Sequence, residues 1–407
     1  MNSCYASIEC LHRPEIRNKP VAVGGDVEAR HGIILAKNQH AKKYNIKTGE
    51  AIWQAKQKCP GLVVVPPRFE LYLRFSRLAR AIYGDYSNQV EPFGLDEAWV
   101  DVTGTQKLRQ GSAALANEIR ERVKFELGIT VSVGVSYNKI FAKLGSDYKK
   151  PDAVTIFTRD NFKERIWPLP ASDLLYVGPA TAKKLKSYGI YTIGEIARTS
   201  PEYLEGWFGK WGLILSCFAN GHDNNPVACI GDEAIIKSVG NSTTTPRDLT
   251  CDEDASIIFW MLAESIAERM RENGFLCKTV QISLRDNELH SFERQMKLEA
   301  PTCLASELHA AAMRLLRANC RWNRPLRSIG IRGANLIAAS TPIQLSMFED
   351  AGKRARLERM ERTVDDIRRR FGHYAICRAT TTMDKTLRNI NPKDDHTIYP
   401  VGFFKAM

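Results

Sequence analysis

No apolar run in the sequence approaches the roughly 18 residues that a membrane-spanning helix needs. The opening residues, Met1-Asn2-Ser3-Cys4-Tyr5, carry neither a basic segment nor an apolar one, so no secretory signal is expected. Cysteine is present ten times but scattered, at positions 4, 10, 59, 217, 229, 251, 277, 303, 320 and 377. No two form a CxxC pair and none stands beside a spaced His pair, which argues against a disulfide framework or a structural zinc. Internal repeats and low-complexity tracts are absent. Negative charge is in deficit, with 46 Asp and Glu against 58 Lys and Arg. A soluble, reduced, cytoplasmic monomer with no membrane partner is the expectation.

What is present points to several domains. The 407 residues are 44% hydrophobic and 26% charged, enough to bury real cores. The net charge of +12 favours a polyanionic partner. It is uneven: residues 1–170 carry 26 basic and 18 acidic side chains, whereas residues 171–236 carry 5 and 7.

Strand and helix signals alternate over the first 165 residues. Val21-Ala22-Val23, Gly32 to Ala36 and Leu62 to Val65 read as strands, and Asn38 to Tyr44 as a short basic helix. Leu71, Phe75, Leu78, Ile82 and Tyr86 recur at helical spacing, predicting an amphipathic helix over 70–87 with those residues inward. Val90 to Thr103 reads as two strands joined at Gly94-Leu95-Asp96-Glu97, followed by a helix over 111–126 and a strand over 130–135. Residues 168–230 look like a helix-hairpin-helix, with Gly178 making the tight turn and the next helix start offering N–H groups to a phosphate. Residues 227–237 read as a linker. A second α/β unit follows, with helices near 255–273 and 304–318 and strands near 278–284, 294–298 and 326–336. Residues 351–371 read as a basic amphipathic helix with Leu357, Met360, Val364, Ile367 and Phe371 on one face. The tail beyond carries no readable motif.

Asp96-Glu97 is the main chemical clue. At a turn two adjacent carboxylates converge, and they repel unless a divalent cation neutralises them. A solvated acidic turn is the plain alternative. Other pieces stand around it in order: Asn2 to Glu9, Lys19 to Val23, Ala36-Lys37-Asn38-Gln39-His40-Ala41-Lys42, Gly94 to Thr103, Val133 to Leu144 and Lys149-Lys150-Pro151. This ordered set resembles the Y-family DNA polymerases of the DinB/UmuC type, over roughly residues 1–350.

The resemblance implies an α/β multidomain right hand. Palm and fingers would occupy 1–167, a helix-hairpin-helix thumb 168–230, a linker 231–237, an α/β little finger 238–340 and a tail 341–407. It implies template-directed addition of dNTPs to a primer 3′-hydroxyl, of the low-fidelity translesion type used in DNA repair and the SOS response, with two Mg²⁺ ions. Asp96, Glu97 and the Met1 carbonyl match metal-site positions, and Tyr5 matches a steric gate against the 2′-hydroxyl. Cys4, Gln39, Lys42 and Lys150 match nucleotide-binding positions; relatives often have Tyr at the place of Gln39 and Arg at that of Lys42. Gly178, Lys183, Arg327 and Arg332 match DNA-backbone contacts. Gln344, Leu345, Met347 and Phe348 resemble a peptide that docks on a sliding clamp.

The family pattern has one more acid, an Asp one residue before the position of Met1, on an apolar strand. Without that strand the sheet is expected to carry an unpaired interior gap. A start several residues upstream, or a truncation without polymerase activity, would each account for it; intact Tyr5, Asp96, Glu97 and Lys150 favour the first. A clamp- and DNA-docking protein without catalysis, and a different palm enzyme such as a nucleotidyl cyclase, are the competing readings.

Overall fold

The computed structural model describes residues 1–25, 32–105, 111–232, 236–342, 351–388 and 390–391. It forms two compact units, one built from Met1–Gly25 with Ile33–Asp232, the other from the described residues after Asp232.

In the first unit, α1 (Cys4–His12) leads into β1 (Val21–Gly24), β2 (Ile34–Lys37), α2 (Gln39–Lys42), α3 (Ile52–Lys58), β3 (Val63–Val65) and α4 (Phe69–Gly84). β1 is the central strand of a three-stranded sheet, antiparallel to β2 and parallel to β3. All four of its residues are buried, so its uninterrupted Val-Ala-Val run is what the position requires. Asn38 ties sheet to helix: its Oδ1 accepts from Val21 N at 3.1 Å and from Ala41 N at 2.9 Å, capping α2.

Of the α4 residues expected inward, Phe75, Ile82 and Tyr86 are buried and Leu71 packs against the same core, and Leu78 is the exception. Tyr72, Phe75, Ser76, Ala79 and Ile82 are buried while Leu78 is exposed. α1 adds polar partners to this buried side. Glu9 is fully buried there and accepts from Arg68 Nη2 at 2.7 Å and from Tyr72 Oη at 2.8 Å, and Tyr5 stacks on Tyr72. A buried carboxylate demands such partners, and helical periodicity of apolar residues does not show them.

The chain continues through β4 (Val90–Pro92), β5 (Ala98–Val100), α5 (Ser112–Leu127), β6 (Val133–Val135), α6 (Lys139–Tyr148), β7 (Val154–Ile156) and α7 (Phe162–Ile166). Here the sheet is split. β4 pairs only with β5 and β6 only with β7 among the described strands. β6 lies hard against α6: a Cβ built on Gly134 would sit 1.8 Å from the Ala142 carbonyl oxygen, so only glycine permits that approach. Four short helices close the unit, α8 (Pro179–Ser187), α9 (Ile193–Arg198), α10 (Pro201–Phe208) and α11 (Lys210–Ala219). They bury Leu185, Ile193, Ile196, Leu204 and Leu215 in one cluster with Phe141 and Phe157.

The second unit is a four-stranded antiparallel sheet, ordered β10-β9-β11-β8, with helices on one face. Its elements are β8 (Ser238–Leu249), α12 (Asp252–Glu272), β9 (Phe275–Asp286), β10 (Ser291–Thr302), α13 (Ala305–Asn319) and β11 (Leu326–Ala338). The sequence shows no apolar alternation in β8, because the residues it buries include Asn241, Thr243 and Thr245. Thr245 Oγ1 donates at 2.6 Å to the Arg247 carbonyl, which makes its burial affordable.

α14 (Ala351–Phe371) and α15 (Lys385–Arg388) complete this unit. On α14 the apolar face is partly covered, with Leu357, Val364 and Ile367 half-buried and Met360 and Phe371 exposed, while Glu361 and Asp365 are buried. Arg271, itself buried, explains this. It bonds Glu361 at 2.5 Å and Asp365 at 2.7 Å, and the Glu361 carboxylate accepts the Ala305 N–H at the start of α13. Leu387 and Ile390, in the tail that carried no readable motif, are buried in the same core.

Candidate functional site

The Asp96-Glu97 turn is built by the β4–β5 hairpin. Phe93 N donates to Glu97 O at 2.9 Å, and the Ser76 hydroxyl on α4 donates to the Leu95 carbonyl. The Asp96 carboxylate has no hydrogen-bond donor or ion-pair partner among the described residues. Its charge is still felt: burial first, then Asp96, pushes the Cys4 thiol up to about 12, and the same two causes raise Tyr83. Cys4 is thus a neutral packing residue beside the acid. Met1 N donates to the Asp96 carbonyl at 2.5 Å and Asn2 N to the Thr130 carbonyl at 2.8 Å. The front of the chain is therefore pinned between the two half-sheets.

Those half-sheets face each other across a cavity of about 790 Å³. Its walls include Ala98–Val100 of β5, Val133–Val135 of β6, Asp96, Glu97, Met1 and Asn2. No described strand pairs with the free edge of β5 or of β6.

From Glu97 a chain of ion pairs runs outward. Lys143 Nζ lies 3.1 Å from Glu97 and 2.5 Å from Asp147, and Asp147 lies 2.5 Å from Lys150. Both lysines hold Asp147 low although burial opposes them. Beyond Lys150 stands a cationic group that no one motif revealed. Lys42 is held below the ordinary lysine value by desolvation and then by the ammonium groups of Lys37 and Lys150. Lys37, at the end of β2, is lowered by burial and donates to Thr48 Oγ1 at 3.2 Å. Three lysines from 37, 42 and 150 thus share one field with no equal count of acids, which suits a polyphosphate. Lys37 belongs to the Ala36–Lys42 stretch, and the end of β2 sets it beside α2. Gln39 is exposed on α2.

Tyr5 stacks on Tyr72 with ring centroids 4.3 Å apart and 7° between planes, and meets Phe69 edge-on at 6.0 Å. Its ring is rigidly backed and half-buried.

Asp96 and Glu97 fit a divalent cation that takes its remaining ligands from phosphate oxygens. No group of three or more His, Cys, Asp or Glu side chains suited to a metal occurs among the described residues. Asp96 and Glu97 are therefore the candidate donors at this turn.

The other expected contacts are dispersed. Gly178 caps α8 with φ of −76°, so the turn does not need glycine; the left-handed residue is Tyr176, at φ 71°. This corrects the expectation that Gly178 makes the turn. Pro179 opens α8 and has no N–H to offer, leaving the donors at Ala180 and Thr181; Lys183 is exposed one turn on. In the second unit, Arg332 is exposed on the sheet face opposite Ile329 and Ile331, which point into the core. Arg327 sits in the irregularity of the β8–β11 pairing, with its carbonyl accepting from Thr245. Gln344, Leu345, Met347 and Phe348 lie outside the described residues.

The comparisons agree with this geometry. The model of the impB/mucB/samB family matches residues 1–147, and that of the family's C-terminal domain matches residues 236–347. The chain is 51% identical to DNA polymerase IV of Acetivibrio thermocellus over 390 residues, 96% of this chain and 98% of that protein. It is 38% identical to DNA polymerase IV of Moorella thermoacetica, over 93% of this chain and 94% of the relative. A solved Y-family DNA polymerase chimera shares the fold, with a TM-score of 0.72 at 22% identity over 83% of this chain and 97% of that one. With both domains matched and relatives similar over nearly their whole length, the chain belongs to the impB/mucB/samB family, the Y-family DNA polymerases.

Proposed function

We propose that the chain is a template-directed DNA polymerase of the low-fidelity translesion type, adding dNTPs to a primer 3′-hydroxyl. One observation carries this reading: the continuous path from Glu97 through Lys143, Asp147 and Lys150 to the cluster with Lys42 and Lys37. This arrangement supports a site with metal-type acids at one end and triphosphate-type cations at the other. Asp96 and Glu97 would hold Mg²⁺, which when bound supplies charge neutralisation at the reacting phosphate and a more acidic primer hydroxyl. Lys37, Lys42 and Lys150 orient the triphosphate. Tyr5, fixed by Tyr72, excludes a 2′-hydroxyl. Gly178, Lys183, Arg327 and Arg332 grip DNA backbone, which holds register without reading sequence. Residues 344–348 tether the chain to a sliding clamp. Palm and fingers, thumb and little finger take the boundaries 167, 230 and 340. Mg²⁺-dependent extension of a primed template by the purified chain tests the reading, and binding without incorporation would refute it.

Two residue-level outcomes follow from the site. Tyr5→Ala is expected to raise ribonucleotide incorporation by about 100-fold, because discrimination by pocket volume is of that order; unchanged sugar selection would remove the gate. Lys37→Ala is expected to raise the KM for dNTP by about tenfold with little change in kcat, as loss of one charge-assisted contact predicts. Single-nucleotide insertion kinetics read both.

A second reading is favoured by the split sheet and the two-acid donor set: a DNA- and clamp-binding protein with impaired catalysis. It predicts primer–template binding that survives Asp96→Ala and Glu97→Ala, and no incorporation by the parent chain.

A further inference from the structure

We propose that the outward face of α14 is a second DNA-binding surface, one that grips duplex backbone by arginine–phosphate contacts. α14 carries eight Lys and Arg against four Asp and Glu, and the structure sorts them by side. The docked side holds the acids: Glu361 and Asp365 are consumed by Arg271, and Arg354 and Arg368 on that side pair with Glu307 and Glu264. The outward side holds Arg356, Arg359 and Arg370, with Arg362 on the flank toward Cys303; all four are exposed, and none makes an ion pair with a described residue. Asp366 is the acid on that side, and it pairs with Arg369 at 3.0 Å.

Four exposed guanidinium groups without carboxylate partners repel one another along the helix, a cost that a surface has no structural reason to carry. They are arginines throughout, the side chain whose planar fork matches phosphate. From Arg356 to Arg370 they span roughly 21 Å of helix axis, the length of about six base pairs. Docking leaves them no freedom to swing inward, since the opposite side is fixed by the buried Arg271 pairs and by the bond from Glu361 to α13. The surface lies on α12 and the start of α13, the helix side of the unit, whereas Arg332 projects from the sheet face away from the core. An apolar flank, with Met360 and Phe371 exposed, also suits a lipid surface, but the charges do not line that flank. Charge geometry and membership of a DNA polymerase family favour DNA, and the choice of DNA rests on that reading.

The test compares the full chain with Arg356→Gln/Arg359→Gln/Arg362→Gln/Arg370→Gln, using fluorescence anisotropy on a labelled 30-base-pair duplex across a salt series. The variant is expected to bind about tenfold or more weakly at low salt, and its slope of log K against log salt to be shallower by roughly 2–4. Its melting temperature should be unchanged, because the four side chains make no ion pair with a described residue. Equal affinity and slope would overturn the proposal, as would lost binding to anionic phosphatidylserine vesicles with DNA binding intact. Primer extension at saturating DNA is the separate control. Extension intact with an unmoved slope defeats this proposal alone, whereas no extension by either protein defeats the polymerase reading and leaves the salt slopes to decide this one.

Discussion

Asp96→Asn is expected to lower Mg²⁺-dependent primer extension by about 10²–10³-fold while leaving primer–template affinity within about twofold. The substitution keeps shape and removes charge. Among the described residues no donor or cation touches the Asp96 carboxylate, so its loss breaks none of their bonds; the hairpin is held by contacts at Phe93, Leu95 and Glu97. What disappears is negative potential aimed into the cavity between β5 and β6. Removing one electrostatic stabiliser of a transition state costs a factor of this size. A physical control accompanies it: the Cys4 thiol, held high by burial and by Asp96, should move down in the variant yet remain above its ordinary value. Unchanged extension with the Cys4 shift present would show that Asp96 faces the site without serving it.

Arg271→Met is expected to destabilise the second unit by about 3–5 kcal/mol, because it strands two buried carboxylates. For a unit of this size that is a fall of about 10 °C in its melting transition. Burial alone already pushes Glu361 above the usual carboxylate range, although Arg271 and the Ala305 N–H oppose the shift. Adding Glu361→Gln and Asp365→Asn to Arg271→Met should return most of the loss, since the stranded charge is then gone. Calorimetry of the three proteins reads the effect; a triple variant no better than Arg271→Met would mean that the arginine acts by shape and not by charge.

The chemistry was legible where it rests on residues adjacent in sequence. Asp96 and Glu97 announce themselves because two acids in one turn need a reason. The hairpin around them follows from flanking β-branched and aromatic residues. Lys37 was not legible as part of a cluster, because its partners come from α2 and from the loop before Pro151, and only folding brings three ammonium groups together. β8 escaped because its buried positions are Asn and Thr, which enter a core when backbone carbonyls receive them. Most of the α4 face was legible, but its polar partners and the docked side of α14 were not, for one shared reason. Glu9 with Arg68, and Glu361 with Arg271, place a buried carboxylate where periodicity counts only apolar residues. Gly178 was assigned the turn on identity, whereas the left-handed backbone belongs to Tyr176.

The bond from Glu361 to Ala305 has a consequence for synthesis. Leu304 at the head of α13 brings no side-chain cap, and the carboxylate that serves instead is encoded 56 residues later. Leu387 and Ile390 complete the same core later still. As the ribosome delivers the chain from its first residue, α13 emerges with its leading amides unserved and waits several seconds for α14. During that interval sheet and helices exist without their last layer. The second unit therefore matures by closure from its far end, and a nascent chain stalled before Glu361 would expose the apolar helix surface that chaperones and proteases recognise.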